Sequence, residues 1–253
     1  MSTSSQPASL PAQMGLGRSV LLHILPGALI SLFYFLVGPL IIRAGYPRVA
    51  ALLLGILLVL IPFELGFLLY LGRKRNHRTS LEGIVLYREP LPWRTYALLV
   101  PALLIWNALC FGLLSSVEGF LASRIFSWMP LWSLPASGTA QYAGVQQSAL
   151  VTTFVAGIAL NGIAGPIVEE LYFRGYLLPR ISRLGNLGAA AFNVFLFSLY
   201  HFFSPWGNLP RILALLPLVY VVARKRNIYL SIWTHCCLNT IGVLLTLAST
   251  AGG

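Results

Sequence analysis

The chain contains few charged residues and no aspartate. Only 9% of its 253 residues are charged, whereas 57% are hydrophobic and the mean hydropathy is +0.80. Because soluble globular domains have roughly 25% charged residues, this composition excludes an ordinary soluble protein. The three cysteines form no C-x-x-C pair and lie in apolar segments, which argues against a disulfide scaffold.

Long apolar stretches make up much of the chain. We interpret seven of them as membrane-spanning helices, and the chain is therefore predicted to be an all-α polytopic membrane protein with about seven to eight transmembrane helices. The fourth stretch is long, and Pro166 predicts a kink or break within it because proline lacks an amide donor. The predicted spans are residues 19–42, 50–72, 96–117, 149–179, 188–203, 209–223 and 228–248.

The basic residues predict the orientation of these spans. Of the 17 Lys and Arg residues, twelve fall at one end of the alternating spans and four at the other, while Arg174 lies within a span. Since cytoplasmic loops are enriched in Lys and Arg, the N-terminus is predicted to be cytoplasmic, in the cell (inner) membrane, with an uncleaved first helix. Residues 118–148, with Trp128 and Trp132, are expected to form an external interfacial segment. The net charge of +11 therefore comes from basic residues at the membrane boundaries, and no nucleic-acid partner is expected.

Two adjacent glutamates are the first candidate functional residues. Glu169 and Glu170 directly follow an apolar run, where ionisable groups are costly and usually face a cavity. Arg174 lies four residues after Glu170 on the same helix face, so a helix-end ion pair explains one carboxylate. It leaves Glu169, about 100° further round the helix, without an assigned partner. A functional role for the pair is the interpretation we favour.

Later spans contain further polar residues at similar depth. His201 follows Phe197 by four residues, and His235 precedes Asn239 by four, which places each pair on one helix face. At 1.5 Å per residue, Glu170, His201 and His235 lie about 14 to 21 Å from their span ends. Packing by single hydrogen bonds remains an alternative for each histidine, but the shared depth predicts one site.

The charges of this predicted site do not balance. Two carboxylates and one guanidinium leave one negative charge in a medium of low dielectric constant. Either one glutamate keeps its proton, or a divalent cation such as Zn²⁺ binds between carboxylate and imidazole, with Glu169, His201 and His235 as the candidate ligands. Both alternatives suit hydrolysis by an activated water. The absence of G-x-S-x-G and H-E-x-x-H argues against a serine nucleophile and a zincin site.

Three motifs in this order resemble those of the CPBP family of intramembrane endopeptidases, which includes CAAX prenyl proteases and the bacteriocin-processing and immunity proteins also called Abi. The motifs are Glu169-Glu170-x-x-x-Arg174, Phe197-x-x-x-His201 and His235-x-x-x-Asn239. The resemblance covers roughly residues 165–240 and implies an intramembrane endopeptidase whose site opens to the cytosol.

The resemblance also implies roles for these residues. Glu169, Glu170 and His201 would activate water or associate with a metal, and His235 and Asn239 would stabilise the carbonyl oxygen, with Arg174 and Phe197 in support. We expect Glu169 to be the base, because Arg174 can hold Glu170. The expected domains are a cytoplasmic tail (1–18), N-terminal helices with the interfacial segment (19–150) and a CPBP-like catalytic core (151–248).

The expected substrate is a membrane-bound or lipidated protein, of which prenylated C-a-a-X proteins are the best-known class for the family. Two other functions remain open. A non-catalytic immunity or partner protein would bind a peptide without cleaving it. A proton-coupled transporter would use buried Glu and His as a relay, and would need a polar pathway that continues to the outside.

Overall fold

The computed structural model describes residues 12–135 and 140–251, and in these ranges the regular elements are helices. Six helical runs are long and apolar enough to cross a membrane, which confirms the predicted all-α polytopic fold. In chain order the helices are α1 (Leu16–Arg43), α2 (Val49–Asn76), α3 (Trp93–Leu113), short α4 (Ser115–Phe120), α5 (residues 147–184), α6 (Gly185–Leu199), α7 (Asn208–Lys225) and α8 (Ile228–Ala251).

The fourth run, Gln147–Leu199, contains two of the seven predicted stretches. Its 53 residues are too many for one crossing, and the chain changes direction at Gly185, whose φ of +73° is readily adopted only by glycine. Side-chain contacts from Asn193 to Phe173 and from Tyr200 to Glu169 show that α6 runs antiparallel to α5. The predicted span 188–203 is too long, because α6 ends at Leu199 and a turn follows.

The C-terminal half of α5 lies at the centre of the bundle. Tyr172, Phe173, Leu177 and Leu178 have no solvent exposure and belong to one apolar cluster with residues of α1, α2, α6, α7 and α8. Helix α1 approaches α6 so closely that a Cβ added at Gly27 would overlap the carbonyl group of Tyr200. This contact sets the position of the residue that precedes His201.

The segment between α3 and α5 contains, within residues 114–135 and 140–146, only short helical turns, so no eighth span occurs there. Trp128 is 76% exposed, consistent with the predicted interfacial anchor. Trp132 instead packs on Tyr34 and Phe35 of α1, with ring centroids 5.0 and 6.0 Å apart. This segment therefore rests against the end of the bundle where α1 ends and α2 begins.

Candidate active site

Helix α5 changes its winding around the glutamate pair. Two π-helical segments, Gly157–Ala164 and Glu170–Leu177, flank a short α-helical segment that contains Pro166 and Glu169. The predicted break at Pro166 is wrong, since the helix continues with widened turns. Wider turns of this kind occur frequently at functional sites.

Pro166 nevertheless determines the position of Asn239. Because proline donates no hydrogen bond, carbonyl groups one turn earlier in the helix lose their usual partner. The Asn239 Nδ2 atom donates to the Asn161 carbonyl at 3.0 Å, and the Thr240 hydroxyl donates to the Gly162 carbonyl at 3.4 Å. The second Nδ2 hydrogen of Asn239 is left for another acceptor. The amide of Asn239 is thus fixed at the surface of a cavity that it lines.

Glu169 is buried, with a different environment at each carboxylate oxygen. The Tyr200 hydroxyl donates to Oε1 at 2.7 Å. The other oxygen, Oε2, lies 3.8 Å from His235 Nε2, beyond normal hydrogen-bond length. Sequence reasoning left Glu169 without a partner and missed Tyr200, whose only sequence signal is its position next to His201.

Two side chains contact the Glu170 carboxylate and hold it in place. Its Oε1 atom lies 3.2 Å from Arg174 Nη1 and 2.9 Å from His235 Nδ1. The predicted contact between Glu170 and Arg174 is present, and the pair is almost fully buried. Because a carboxylate can only accept, the Nδ1 atom of His235 carries the proton and donates it to Glu170. The Nε2 atom of a neutral His235 is then a hydrogen-bond acceptor.

His201 lines the same cavity but has a different partner. Its Nδ1 atom donates to the Phe197 carbonyl at 2.8 Å, so a neutral His201 also presents Nε2 as an acceptor. The Phe197 ring contacts His201 on one side and the Arg174 guanidinium, 4.1 Å from its centroid, on another. The imidazole that contacts both glutamates is therefore that of His235, whereas the resemblance grouped His201 with them.

All five predicted catalytic residues are near one another, but only four line the cavity. The cavity has a volume of about 250 Å³ and includes Glu169, His201, His235 and Asn239 in its wall, whereas Glu170 lies behind His235. Most of the remaining wall is apolar. Such a cavity can admit apolar side chains of a peptide and a few water molecules.

Two further buried polar residues were not singled out from the sequence. Glu64 of α2 has no solvent exposure, and neither carboxylate oxygen has a hydrogen-bond partner among the described residues. Glu64 is one turn beyond the cavity-lining Leu60, and the charges of Glu169, Arg174 and Glu170 act on it. The sequence could have indicated Glu64 as a candidate functional residue, since it is the lone acidic residue in a predicted span.

The second is His23 of α1. Its Nδ1 atom donates to the Ser19 carbonyl at 2.7 Å, and its Nε2 atom accepts from Asn193 Nδ2 at 3.0 Å. Asn193 also donates to the Phe173 carbonyl at 3.1 Å. These bonds connect α1 and α6 to the turn of α5 that carries Arg174.

The predicted metal ligands do not form a metal site in this arrangement. Among the residues described, no group of three or more His, Cys, Asp or Glu side chains is placed to hold a metal ion. The hydrogen bonds of His235 and His201 use Nδ1 and leave each Nε2 free, so the spacing of the side chains, and not their hydrogen bonding, leaves them without a three-ligand group.

The fold and the buried polar cluster define a polytopic membrane protein with ionisable side chains around a cavity inside its helical bundle. Residues 151–241 match the family model described as type II CAAX prenyl endopeptidase Rce1-like. This match confirms the resemblance to the CPBP and CAAX protease family over that segment and supports an intramembrane protease. No curated protein and no solved structure gives a significant match.

Proposed function

We propose that this protein is an intramembrane endopeptidase that hydrolyses peptide bonds of membrane-associated proteins, in which Glu169 activates the attacking water. The observation that carries the proposal is the 3.8 Å separation of Glu169 Oε2 and His235 Nε2 at the wall of the cavity. A water about 2.8 Å from each atom would bridge them. Glu169 would accept a proton from this water as it attacks the scissile carbonyl carbon.

The neighbouring residues have supporting roles in this proposal. Arg174 holds Glu170, Glu170 holds His235 through Nδ1, and this chain of contacts fixes the His235 ring beside the water. Asn239, with one amide hydrogen unused, would donate to the oxyanion that forms on the carbonyl. The proton accepted by Glu169 would then pass to the leaving amine, which returns Glu169 to its carboxylate form.

The family match favours lipidated C-a-a-X proteins as one substrate class, and the positive-inside count favours a cytoplasmic N-terminus in the cell membrane. Both statements are part of the proposal. The alternative with a bound divalent cation would need Glu169, His201 and His235 to move, because as placed they do not form a three-ligand group.

A cleavage assay on purified protein in detergent tests the proposed function. A membrane-anchored peptide with a fluorescent reporter should be cleaved by the unaltered protein, and the metal content should be measured in the same sample. His235→Ala should reduce the rate at least about 100-fold, because the water loses a positioning group and Glu170 loses a donor. Cleavage by a metal-free preparation would rule out the metal alternative. Undiminished cleavage by the His235→Ala variant would contradict the mechanism.

Tyr200→Phe is expected to lower kcat roughly 10- to 100-fold with little change in KM. The substitution removes the hydroxyl that donates to Glu169 Oε1 at 2.7 Å, and a charge-assisted hydrogen bond contributes about 1.5 to 3 kcal/mol. Tyr172→Phe is the matched control, because the Tyr172 hydroxyl donates to the Leu22 carbonyl at 2.8 Å and is absent from the cavity wall. Equal losses in the two variants would show that Tyr200 acts only through packing.

A further inference from the structure

Arg211 contributes a cationic group to the wall of the cavity beside Glu169, and the proposed mechanism does not use this group. The residue belongs to α7, within the run Pro205–Lys225 that is long and apolar enough to cross a membrane. A charged side chain in such a segment is costly and usually faces a cavity or carries a function. Arg211 is therefore expected to have a counter-ion or a ligand.

Three hydrogen bonds hold the Arg211 guanidinium in place. Its Nη1 atom donates to the Ser198 carbonyl at 3.3 Å and to Asn208 Oδ1 at 3.0 Å, and its Nη2 atom donates to Ser204 Oγ at 3.2 Å. A guanidinium has five N–H groups, so the Nε hydrogen and one Nη2 hydrogen are left without an acceptor among the residues that the structure describes. Nε and Nη2 form one edge of the guanidinium, and this edge can bind both oxygens of a carboxylate.

The charge of Arg211 has no directly paired acid. In the ranges that the structure covers, no glutamate oxygen lies within 4.0 Å of its nitrogen atoms. The charge of Glu118 acts on Arg211 from further away. A Cβ added at Gly207 would lie 3.0 Å from Arg211 Nη2 and 3.5 Å from Glu118 Oε1, so both side chains approach this glycine without forming an ion pair. A carboxylate from another molecule could therefore pair with Arg211 directly.

The hydrogen bonds of Arg211 position it beside the candidate active site. Two of its partners, Ser198 and Ser204, lie on either side of Tyr200 in the chain. The Tyr200 hydroxyl donates to Glu169 Oε1 at 2.7 Å. Arg211 and Glu169 also line the same cavity, whose volume is about 250 Å³. Because an extended peptide advances by about 3.3 to 3.6 Å per residue, a group bound at Arg211 is only a few residues from a peptide bond next to Glu169.

We propose that Arg211 binds a carboxylate of the substrate, within a few residues of the scissile bond. This inference rests on the proposed function and adds a determinant of specificity to it. The carboxylate can have two sources, a free C-terminus shortly after the scissile bond or an acidic side chain near that bond. The rest of the wall is mainly apolar, so the neighbouring side chains of the substrate are expected to be uncharged.

Cleavage of matched peptides by the purified protein in detergent tests this role of Arg211. One pair of membrane-anchored peptides differs only in a C-terminal carboxylate or amide, and a second pair, both amidated, differs only in Glu or Gln beside the scissile bond. The unaltered protein should cleave the carboxylate member of at least one pair with a kcat/KM at least about tenfold higher, mainly through KM. The pair that shows this preference identifies the source of the carboxylate. Absence of a preference in both pairs would overturn the proposal.

Arg211→Gln should reduce this preference to a ratio of about one, because the bidentate donor is lost. A role of Arg211 in packing alone would instead lower the cleavage of both members of a pair equally and leave the ratio unchanged, which would also overturn the proposal. Arg211→Lys keeps the charge but loses the fork, so its ratio should be intermediate, and it serves if Arg211→Gln does not fold. Arg124→Gln is the matched control and should keep the full ratio, because Arg124 is exposed and absent from the cavity wall.

A binding measurement separates this inference from the proposed function. In the Glu169→Gln variant, fluorescence polarisation should show at least about tenfold tighter binding of the preferred carboxylate peptide than of its uncharged partner. Arg211→Gln in the same background should remove the difference. Equal binding of all four peptides would overturn the role of Arg211, whether or not the unaltered protein cleaves them. A binding preference that depends on Arg211, without any cleavage by the unaltered protein, would refute only the proposed function.

Discussion

Glu169→Gln is expected to lower the rate of peptide cleavage by about 10² to 10⁴-fold, the usual contribution of a positioned general base. Glutamine preserves the shape of the side chain and can still accept the Tyr200 hydroxyl through its amide oxygen. It removes the basic oxygen that faces His235 Nε2. The loss should therefore appear in kcat, and substrate binding should change little.

One control variant and one stability measurement make this result specific to the base. Glu82→Gln removes a carboxylate whose ion pair with Arg78 is 2.7 Å long but largely exposed, and it should leave activity unchanged. Thermal unfolding of Glu169→Gln should stay close to that of the unaltered protein, because Tyr200 keeps an acceptor. A variant that folds normally and cleaves at the full rate would eliminate Glu169 as the base.

Substitution of Glu170 is expected to have a different effect from substitution of Glu169. Its Oε1 atom contacts both Arg174 and His235, so a change at this position disturbs the support of the site as well as its charge. This inequality between the two glutamates was predicted from the sequence alone, because Arg174 follows Glu170 by one helical turn. The i, i+4 relation is local and does not depend on how the helices pack.

Contacts between helices could be predicted only in part. The similar depths of Glu170, His201 and His235 predicted that these residues lie close together. Depth does not determine how each helix is rotated about its axis. The structure rotates α8 so that His235 contacts both glutamates, and directs the Nδ1 atom of His201 to a backbone carbonyl. The division of roles implied by the family resemblance depended on this rotation.

The packing of the segment between α2 and α3 could not be predicted from the sequence. Backbone hydrogen bonds join this segment to Gly175 of α5 and to Ile228 of α8. A short polar connection gives no periodic signal, so the sequence indicated only that it was a loop. The sequence alone showed that Pro166 lacks an amide hydrogen. It did not show that Asn239 donates to a carbonyl preceding this proline, because that contact depends on how α8 packs against α5.

Arg174→Met is expected to lower the free energy of unfolding by about 3 to 5 kcal/mol, as when one partner of a buried ion pair is removed. The Arg174 guanidinium has no solvent exposure; it pairs with Glu170, and its charge also acts on Glu64. Methionine retains much of the side-chain volume against the Phe197 ring, so the loss reports mainly on charge. Denaturant unfolding in mixed micelles gives the measurement. Arg78→Met, at a salt bridge with 70% exposure of Arg78, should change stability by less than about 1 kcal/mol.

A second substitution shows whether Glu64 and Arg174 interact. The Nε and Nη2 atoms of Arg174 and both oxygens of Glu64 have no hydrogen-bond partner in the described part of the chain, although all are buried. If the charges of Arg174 and Glu64 offset each other, Glu64→Leu should restore about 1 to 3 kcal/mol of the free energy of unfolding in the Arg174→Met background. In the unaltered background the same substitution should recover less, because Arg174 would lose a compensating charge. Strictly additive effects in the double variant would mean that Glu64 does not contribute to holding Arg174, and through it Glu170 and His235, in place.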